Sequence, residues 1–138
     1  MAPDTTIMET NKKLIISIGT NIEQETNMLK AEIMLVKLFG DKILFTDNIW
    51  NDPVDIDSDL FLNRLAAVNT PHGLLQLQRA FKQIERHVGA SKGEKRRGIV
   101  RIDIDILQYD EERLHVEDWN RPYVEKLLKQ LDRKKYQK

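Results

Sequence analysis

The sequence predicts an α+β domain in which an antiparallel sheet carries helices on one face, with one further helix at the C-terminus. Three observations lead to this fold class. Short β-branched runs alternate with longer segments that repeat apolar residues at helical spacing. Glycines or polar clusters separate these segments. The 138 residues are enough for one domain with a sizeable core.

The first half of the chain predicts a strand, a helix and a second strand. Residues 14–18 form a β-branched run that stops at residues 19–21, which we interpret as a turn. Residues 28–39 repeat apolar side chains at three- and four-residue spacings, which is typical of an amphipathic helix. Residues 43–46 then predict a second strand.

A loop, a third strand and a second helix follow. Residues 48–59 are acidic and irregular, which indicates a loop. Residues 61–68 are apolar enough for a strand, and residues 70–88 have helical periodicity. We expect Thr70 to cap this helix and Pro71 to occupy its first position, where a missing N–H is harmless.

The last third of the chain predicts a loop, a fourth strand and a final helix. Residues 90–98 are rich in lysine, arginine and glycine. Residues 99–107 alternate apolar and charged side chains, and residues 121–134 carry one apolar stripe. The whole order is βαββαβ followed by a helix, which is the order of the ferredoxin-like split βαβ arrangement.

Composition excludes several classes of protein. Lysine plus arginine equals aspartate plus glutamate at 22 each, so the chain has no global attraction to nucleic acid or membranes. The absence of cysteine excludes disulfides and cysteine-based zinc sites. The apolar run near the start is too short for a signal peptide or a membrane span, so we expect a cytoplasmic protein. We interpret the polar residues 1–13 as a flexible leader to a single domain, residues 14–138.

The predicted fourth strand carries two carboxylates on one face. Because side chains alternate across a strand, Asp103 and Asp105 share a face with Arg101, while the isoleucines between them face the helices. The two aspartates are about 6.6 Å apart along the strand. Such a pair suits Mg²⁺, which takes one or two carboxylates and completes its coordination with water and phosphate. The alternative is a solvated outer face on which Arg101 pairs with the aspartates.

Basic residues precede this strand. Lys92, Lys95, Arg96 and Arg97 lie in a segment that also contains glycines. Cations beside a carboxylate pair are suited to a polyphosphate, because the cations contact phosphate oxygens while the carboxylates hold the metal. The combination of loop and strand therefore favours a magnesium and phosphate site over a merely solvated charged surface.

Four segments resemble a known family in their order along the chain. They are residues 18–21 (Ile-Gly-Thr-Asn), 61–63 (Phe-Leu-Asn), 84–85 (Ile-Glu) and 103–107 (Asp-Ile-Asp-Ile-Leu). Over residues 14–121 the chain resembles the 6-hydroxymethyl-7,8-dihydropterin pyrophosphokinases. The resemblance implies a ferredoxin-like enzyme of folate biosynthesis that transfers pyrophosphate from ATP to the hydroxymethyl group of a reduced pterin.

The resemblance also implies roles for individual residues. Two Mg²⁺ ions would bridge the ATP phosphates and bind Asp103 and Asp105. Asn63 would hydrogen-bond the pterin edge, and Phe61 and Tyr123 would stack on its ring. The expected ATP-binding residues are Lys92, Arg96, Arg97 and Glu85. ATP and a reduced pterin are the expected partners, without nucleic acid or membrane, and the expected state is a monomer or a weak dimer.

The chain departs from the family pattern at several positions. Ala90 and Val100 occupy places where the family has arginine, and Glu117 and Asp118 replace a Pro-His pair. Arg101 or the basic loop could supply the missing charge, and we count Arg101 among the catalytic candidates. The alternative function is a catalytically impaired family member that binds a nucleotide or pterin as a sensor or scaffold. A third interpretation, an RNA-binding domain, conflicts with the carboxylates on the sheet.

Overall fold

The computed structural model describes residues 11–52 and 59–136, with side chains up to residue 134. In chain order the elements are β1 (Lys12–Thr20), α1 (Gln24–Phe39), β2 (Leu44–Phe45), β3 (Ile49–Asn51), β4 (Phe61–Thr70), α2 (Leu74–Val88), α3 (Lys92–Arg96), β5 (Asp103–Tyr109), β6 (Glu112–Arg113), a 3-10 helix (Val116–Asn120) and α4 (Pro122–Tyr136). Among these described elements, no helix is both long and apolar enough to cross a membrane.

The strands form one antiparallel sheet in the order β2–β4–β1–β5–β6, and β3 also pairs with β4. β2 and β3 lie along the same edge of β4, so together they occupy the place of a single second strand. The arrangement confirms the predicted ferredoxin-like α+β fold.

The two faces of the sheet are covered differently. α1 and α2 pack on one face, over a core that includes Ile16, Ile18, Leu62, Ile104 and Ile106. On the opposite face Ile15, Leu65 and Leu107 pack against the apolar stripe of α4, which comprises Val124, Leu127 and Leu131. The residues of this face that lie beyond α4 line an open cleft.

Some predicted boundaries are wrong. β1 continues through Gly19 and Thr20 instead of turning at residues 19–21, because both residues pair with β4. Thr70 ends β4 and does not cap α2; its hydroxyl accepts the His72 N–H in the turn that follows. β1 begins at Lys12, inside the range expected to be a leader, and residues 1–10 lie outside the described residues.

Two predicted loops contain regular structure. Within residues 48–59, β3 forms because its backbone pairs with β4, and residues 53–58, including Pro53, lie outside the described part of the chain. Within residues 90–98, α3 forms one short helix. The Ser91 hydroxyl caps it by accepting the Glu94 N–H at 3.2 Å.

β5, which corresponds to the predicted fourth strand, begins at Asp103, four residues later than predicted. Asn21 binds the segment that precedes it, because its side chain donates to the Gly98 carbonyl and accepts the Val100 N–H, both at 2.7 Å. Arg101 therefore lies outside the strand that carries the two aspartates.

Candidate active site

A cleft of about 200 Å³ opens on the sheet face that α4 leaves uncovered. Three neighbouring strands form its floor, and they contribute Ser17 and Gly19 of β1, Phe61 and Asn63 of β4, and Asp103 and Asp105 of β5. The rim includes Asn51, Asp118, Arg121 and Tyr123. The cleft thus brings together five of the residues singled out in the sequence: both aspartates, Phe61, Asn63 and Tyr123.

Asp103 and Asp105 form the acidic side of the cleft. Burial, together with the charge of Asp103, raises the pKa of Asp105 to about 7. Lys95 Nζ lies 3.4 Å from Asp103 Oδ1, and His115 Nε2 lies 3.9 Å from Asp105 Oδ1. Two adjacent carboxylates that disfavour simultaneous ionisation are an oxygen donor set that fits Mg²⁺, since a divalent cation relieves their repulsion.

Phe61 and Asn63 form the opposite side of the cleft. The Asn63 Oδ1 accepts a hydrogen bond from Asn51 Nδ2 at 2.9 Å, which orients the Asn63 amide. A Cβ at Gly19 would lie 2.6 Å from Asn63 Nδ2 and 3.6 Å from Phe61 Cδ1. The absence of a side chain at position 19 therefore makes room for both residues.

The beginning of α4 and the preceding 3-10 helix close the rim. Arg121 Nε lies 2.9 Å from Asp118 Oδ1, so this ion pair ties the two helices together. Tyr123 is half-buried and packs against the core beneath α4. Its burial raises the pKa of the Tyr123 hydroxyl.

Arg101 lies beside the cleft and pairs with glutamates. Its Nε and Nη2 donate to the Glu94 carboxylate at 2.9 Å each, and its Nη1 lies 3.2 Å from Glu23. The hydrogen bonds to Glu94 raise the pKa of Arg101, and the same contact lowers the pKa of Glu94. The alternative prediction, a solvated strand face on which Arg101 pairs with Asp103 and Asp105, is therefore wrong. Arg101 instead anchors α3, the helix that carries Lys95.

A second cleft of about 450 Å³ lies on the other side of Asp103. Its basic lining residues are Lys82, Arg86, Lys92, Lys95 and Arg101. Asp103 also lines this cleft and therefore lies between the first cleft and the basic one, whereas Asp105 lines only the first of these two. Arg96 and Arg97 are exposed at the C-terminal end of α3 and line neither of these two clefts.

The two positions at which the family resemblance led us to expect arginine lie at the basic cleft. Ala90 and Val100 both contribute to its lining. Val100 is buried, and its N–H is bound by Asn21, so the backbone there is held against β1. The positive charge in this region comes from α2, α3 and Arg101.

Glu85 contacts the strand that carries the aspartates. It is buried, its Oε2 accepts the Ile104 N–H at 2.8 Å, and its Oε1 lies 3.3 Å from Lys82. A buried backbone donor between Asp103 and Asp105 is thereby satisfied. Glu85 therefore contacts both β5 and Lys82, and it lines the basic cleft.

The sequence did not predict the contacts that three residues of this region make. Lys95 was recognised as basic, but only the helical form of α3 shows that it, rather than its neighbours, reaches Asp103. Asn51 reaches Asn63 because β3 pairs with β4, and no local pattern indicated that strand. Arg121 reaches the rim because α4 begins there, and the start of that helix was predicted.

A family model for 7,8-dihydro-6-hydroxymethylpterin-pyrophosphokinase matches residues 15–133. The chain belongs to this pyrophosphokinase family. This confirms the predicted family.

Two similar plant proteins are folate synthesis bifunctional proteins. The one from Arabidopsis thaliana is 29% identical over 136 residues, which cover 88% of this chain and 28% of that protein. The one from Pisum sativum, named as mitochondrial, is 28% identical over 135 residues, which cover 89% of this chain and 26% of that protein. The chain thus spans only about a quarter of the length of these relatives.

Proposed function

We propose that this protein transfers the β,γ-pyrophosphoryl group of ATP to the hydroxymethyl group of 6-hydroxymethyl-7,8-dihydropterin. One observation carries the proposal. Gly19 pairs with Asn63 on one side and with Asp103 on the other, so the three residues form one row across the cleft floor. Neighbouring strands are about 4.8 Å apart, which separates the Asn63 and Asp103 backbones by roughly 10 Å. A pterin edge and a metal-bound phosphate can therefore meet above Gly19.

The Asn63 side of the cleft is suited to a flat heterocycle. Asn51 donates to the Asn63 oxygen, so the Asn63 amide nitrogen would be the group that donates to a ring nitrogen or carbonyl. Phe61 and Tyr123 supply aromatic surface on the same cleft. An aromatic platform with a few placed amide groups is what recognition of a pterin requires.

The Asp103 side is suited to a magnesium-bound triphosphate. Asp103 and Asp105 would hold two Mg²⁺ ions, which when bound neutralise phosphate charge and orient the reacting phosphorus. Lys92 and Lys95 lie on α3 at the border of this side and would contact phosphate oxygens. Arg101 would position α3 through Glu94, while the exposed Arg96 and Arg97 remain candidates for closing over bound ATP.

The chemical step follows from this placement. The pterin hydroxymethyl oxygen forms a bond to the β-phosphorus, the bond from that phosphorus to the α,β-bridging oxygen breaks, and AMP leaves with that oxygen. The hydroxyl proton is released as the new bond forms. The protein contributes alignment and charge stabilisation rather than a covalent intermediate.

Calorimetry with ATP in the presence and absence of Mg²⁺ tests the metal assignment. We expect the parent protein to bind ATP in a strictly Mg²⁺-dependent manner and Asp105→Ala to lose this binding while its circular dichroism is unchanged. Asp41→Asn, which changes an exposed aspartate in the turn after α1, is the matched control and should bind as the parent does. Unchanged ATP binding by Asp105→Ala would refute the assignment.

Ala90 and Val100 favour a second candidate, a family member that binds ATP or a reduced pterin without turnover. Removal of one preorganised donor at a transferring phosphoryl group costs about 10²–10³ in rate, and two family arginines are replaced. Release of AMP that depends on both ATP and the reduced pterin, at more than one turnover per protein, would exclude this candidate.

The cytoplasmic location remains a prediction from the sequence. One of the two relatives carries a mitochondrial designation in its name. Cell fractionation with an antibody to this chain tests the predicted location. Recovery of the protein in an organelle or membrane fraction would contradict the prediction.

A further inference from the structure

Helix α1 has an apolar stripe on its outer surface. Its buried residues are Asn27, Met28, Ala31 and Leu35. Leu29, Ile33 and Val36 are 55%, 49% and 38% exposed. At 3.6 residues per turn, positions 29, 33 and 36 lie on one line, opposite the buried face.

The stripe has the pattern of a coiled-coil seam. Thr26, Leu29, Ile33 and Val36 fall at successive a, d, a and d positions of a heptad repeat. Glu25 and Glu32 fall at the flanking g positions, and Lys30 and Lys37 fall at the flanking e positions. One flank of the stripe is therefore acidic and the other is basic.

We propose that two copies of this chain associate through α1, with the two helices parallel about a two-fold axis. In a parallel pair, each g residue faces the e residue five positions later in the partner helix. Glu25 then faces Lys30 of the second copy, Glu32 faces Lys37 of the second copy, and symmetry repeats both pairs. An antiparallel pair would bring the acidic flanks together and the basic flanks together. The charge pattern thus selects one partner, a second copy, and one orientation.

Neighbouring residues position the acidic flank and enlarge the apolar stripe. Arg64 Nη1 lies 3.2 Å from Glu32 Oε1, which holds the Glu32 carboxylate beside the stripe. Trp50 is 49% exposed and lines the same shallow groove as Leu29. The indole therefore extends the apolar surface at one end of the seam and would change its environment on association.

The interface is small, so the dimer is expected to be weak. α1 has 16 residues and is about 24 Å long, and the seam from position 26 to position 36 covers fewer than two full heptads. This falls short of the roughly 1,600 Å² that a standard stable interface buries. Association should therefore depend on concentration in the micromolar range.

The proposed dimer leaves the clefts accessible. α1 covers the sheet face occupied by Ile16 and Ile18, whereas the aspartates and Asn63 lie on the opposite face. Because the two surfaces are separate, loss of the dimer should leave the proposed reaction unchanged, and loss of the reaction should leave the dimer unchanged.

Sedimentation velocity over a concentration series tests the association. We expect the parent to shift from monomer to dimer as its concentration rises and Ile33→Glu to remain monomeric with an unchanged melting temperature. Leu75→Glu, at a 59% exposed position on α2, is the matched control and should dimerise as the parent does. A parent that stays monomeric at every concentration, or an Ile33→Glu variant that dimerises normally, would overturn the proposal.

A single introduced cysteine tests the orientation, because the parent has none. In the parallel pair Leu29 faces Leu29 of the second copy, so Leu29→Cys should form an intermolecular disulfide at least about 10-fold faster than Leu75→Cys. In an antiparallel pair centred on Ile33, position 29 would face position 36 or 37. Cross-linking of Leu29→Cys no faster than that of Leu75→Cys would contradict the parallel arrangement.

The charged flanks give an independent test of the same arrangement. The double variant Lys30→Glu with Lys37→Glu replaces attraction by repulsion in a parallel pair and should weaken association by about 10-fold or more. Unchanged association would show that the charge pattern does not select the partner.

Discussion

Gly19 and Asn63 pair across adjacent strands, and a Cβ at position 19 would lie only 2.6 Å from the Asn63 Nδ2. The cleft floor therefore depends on a glycine in the middle of a sheet, where glycine is normally unfavourable. The geometry of the proposed pterin site therefore depends on the absence of a side chain at position 19.

Gly19→Ala should displace the Asn63 amide and weaken binding of the reduced pterin. Loss of one positioned hydrogen bond costs about 1–2 kcal/mol, which corresponds to roughly 5- to 30-fold in affinity. Calorimetry with the reduced pterin, in the presence of Mg²⁺ and a non-hydrolysable ATP analogue, measures the change. Gly73→Ala is the control, because a Cβ at that position meets nothing within 4 Å. Equal pterin affinity in both variants would contradict the assigned role of Asn63.

Stability should respond to pH through Asp105. Its pKa is raised from 3.8 to about 7 in the folded protein, so between these values the folded state binds more protons than the unfolded state. The contribution of Asp105 is therefore fully present below the unfolded pKa and is lost as the pH rises through the folded pKa. Asp105→Asn keeps the group neutral, and because the side chain is one-third exposed we expect a gain of only about 1–2 kcal/mol above pH 7.

Urea unfolding of metal-free protein across this pH range measures the effect. The stability difference between Asp105→Asn and the parent should shrink as the pH falls from about 7 toward 3.8. Asp41→Asn should show no such trend. A difference that is constant with pH would mean that Asp105 ionises without cost in the folded protein.

Arg101 should affect catalysis through Lys95. The Arg101 guanidinium holds Glu94, and the next residue, Lys95, contacts Asp103. Arg101→Ala and Lys95→Ala should each lower kcat/KM for ATP by about 10-fold, and the double variant should lose little more than either single variant. A double-mutant cycle on kcat/KM for ATP, with circular dichroism as the control for folding, measures this coupling. Fully additive losses would instead indicate that Arg101 acts on the phosphates independently.

Glu85 should matter for stability more than for ATP affinity. Glu85→Ala leaves the buried Ile104 N–H without its acceptor and should destabilise the protein by about 1–3 kcal/mol in urea unfolding. Glu85→Gln retains an acceptor oxygen and should keep most of this stability, with an ATP affinity close to that of the parent. Selective loss of ATP binding in Glu85→Gln would show that the carboxylate contacts the nucleotide directly.

The sequence predicted the parts of the fold that depend on local pattern. β1 was predictable as a continuous β-branched run that is buried on both faces, and the periodicity of apolar residues located β5, α2 and α4. The sequence did not predict β3, because its three residues form a strand only through pairing with β4. The start of β5 was misplaced because Asn21, about eighty positions earlier, holds the Val100 backbone.

In the candidate site, too, local pattern predicted some residues, whereas others depend on contacts between distant parts of the chain. Asp103 and Asp105 were predictable from alternation within one strand, and the cleft brings them together with Phe61, Asn63 and Tyr123. Arg101 was assigned to the face of the aspartates by the same alternation, which fails because position 101 lies outside the strand. The choice of Lys95 over its basic neighbours depends on how α3 is anchored, and local sequence does not encode that anchoring.

The most direct test of the proposed reaction is ³¹P NMR of ATP incubated with Mg²⁺, the reduced pterin and this protein. We predict equimolar AMP and pterin diphosphate, formed only when all components are present, with Asp105→Asn reducing the rate by at least about 100-fold. Formation of ADP would contradict the transfer of a pyrophosphoryl group. Consumption of ATP that does not depend on the pterin, or no product after prolonged incubation of a protein that binds both ligands, would equally contradict the proposed function.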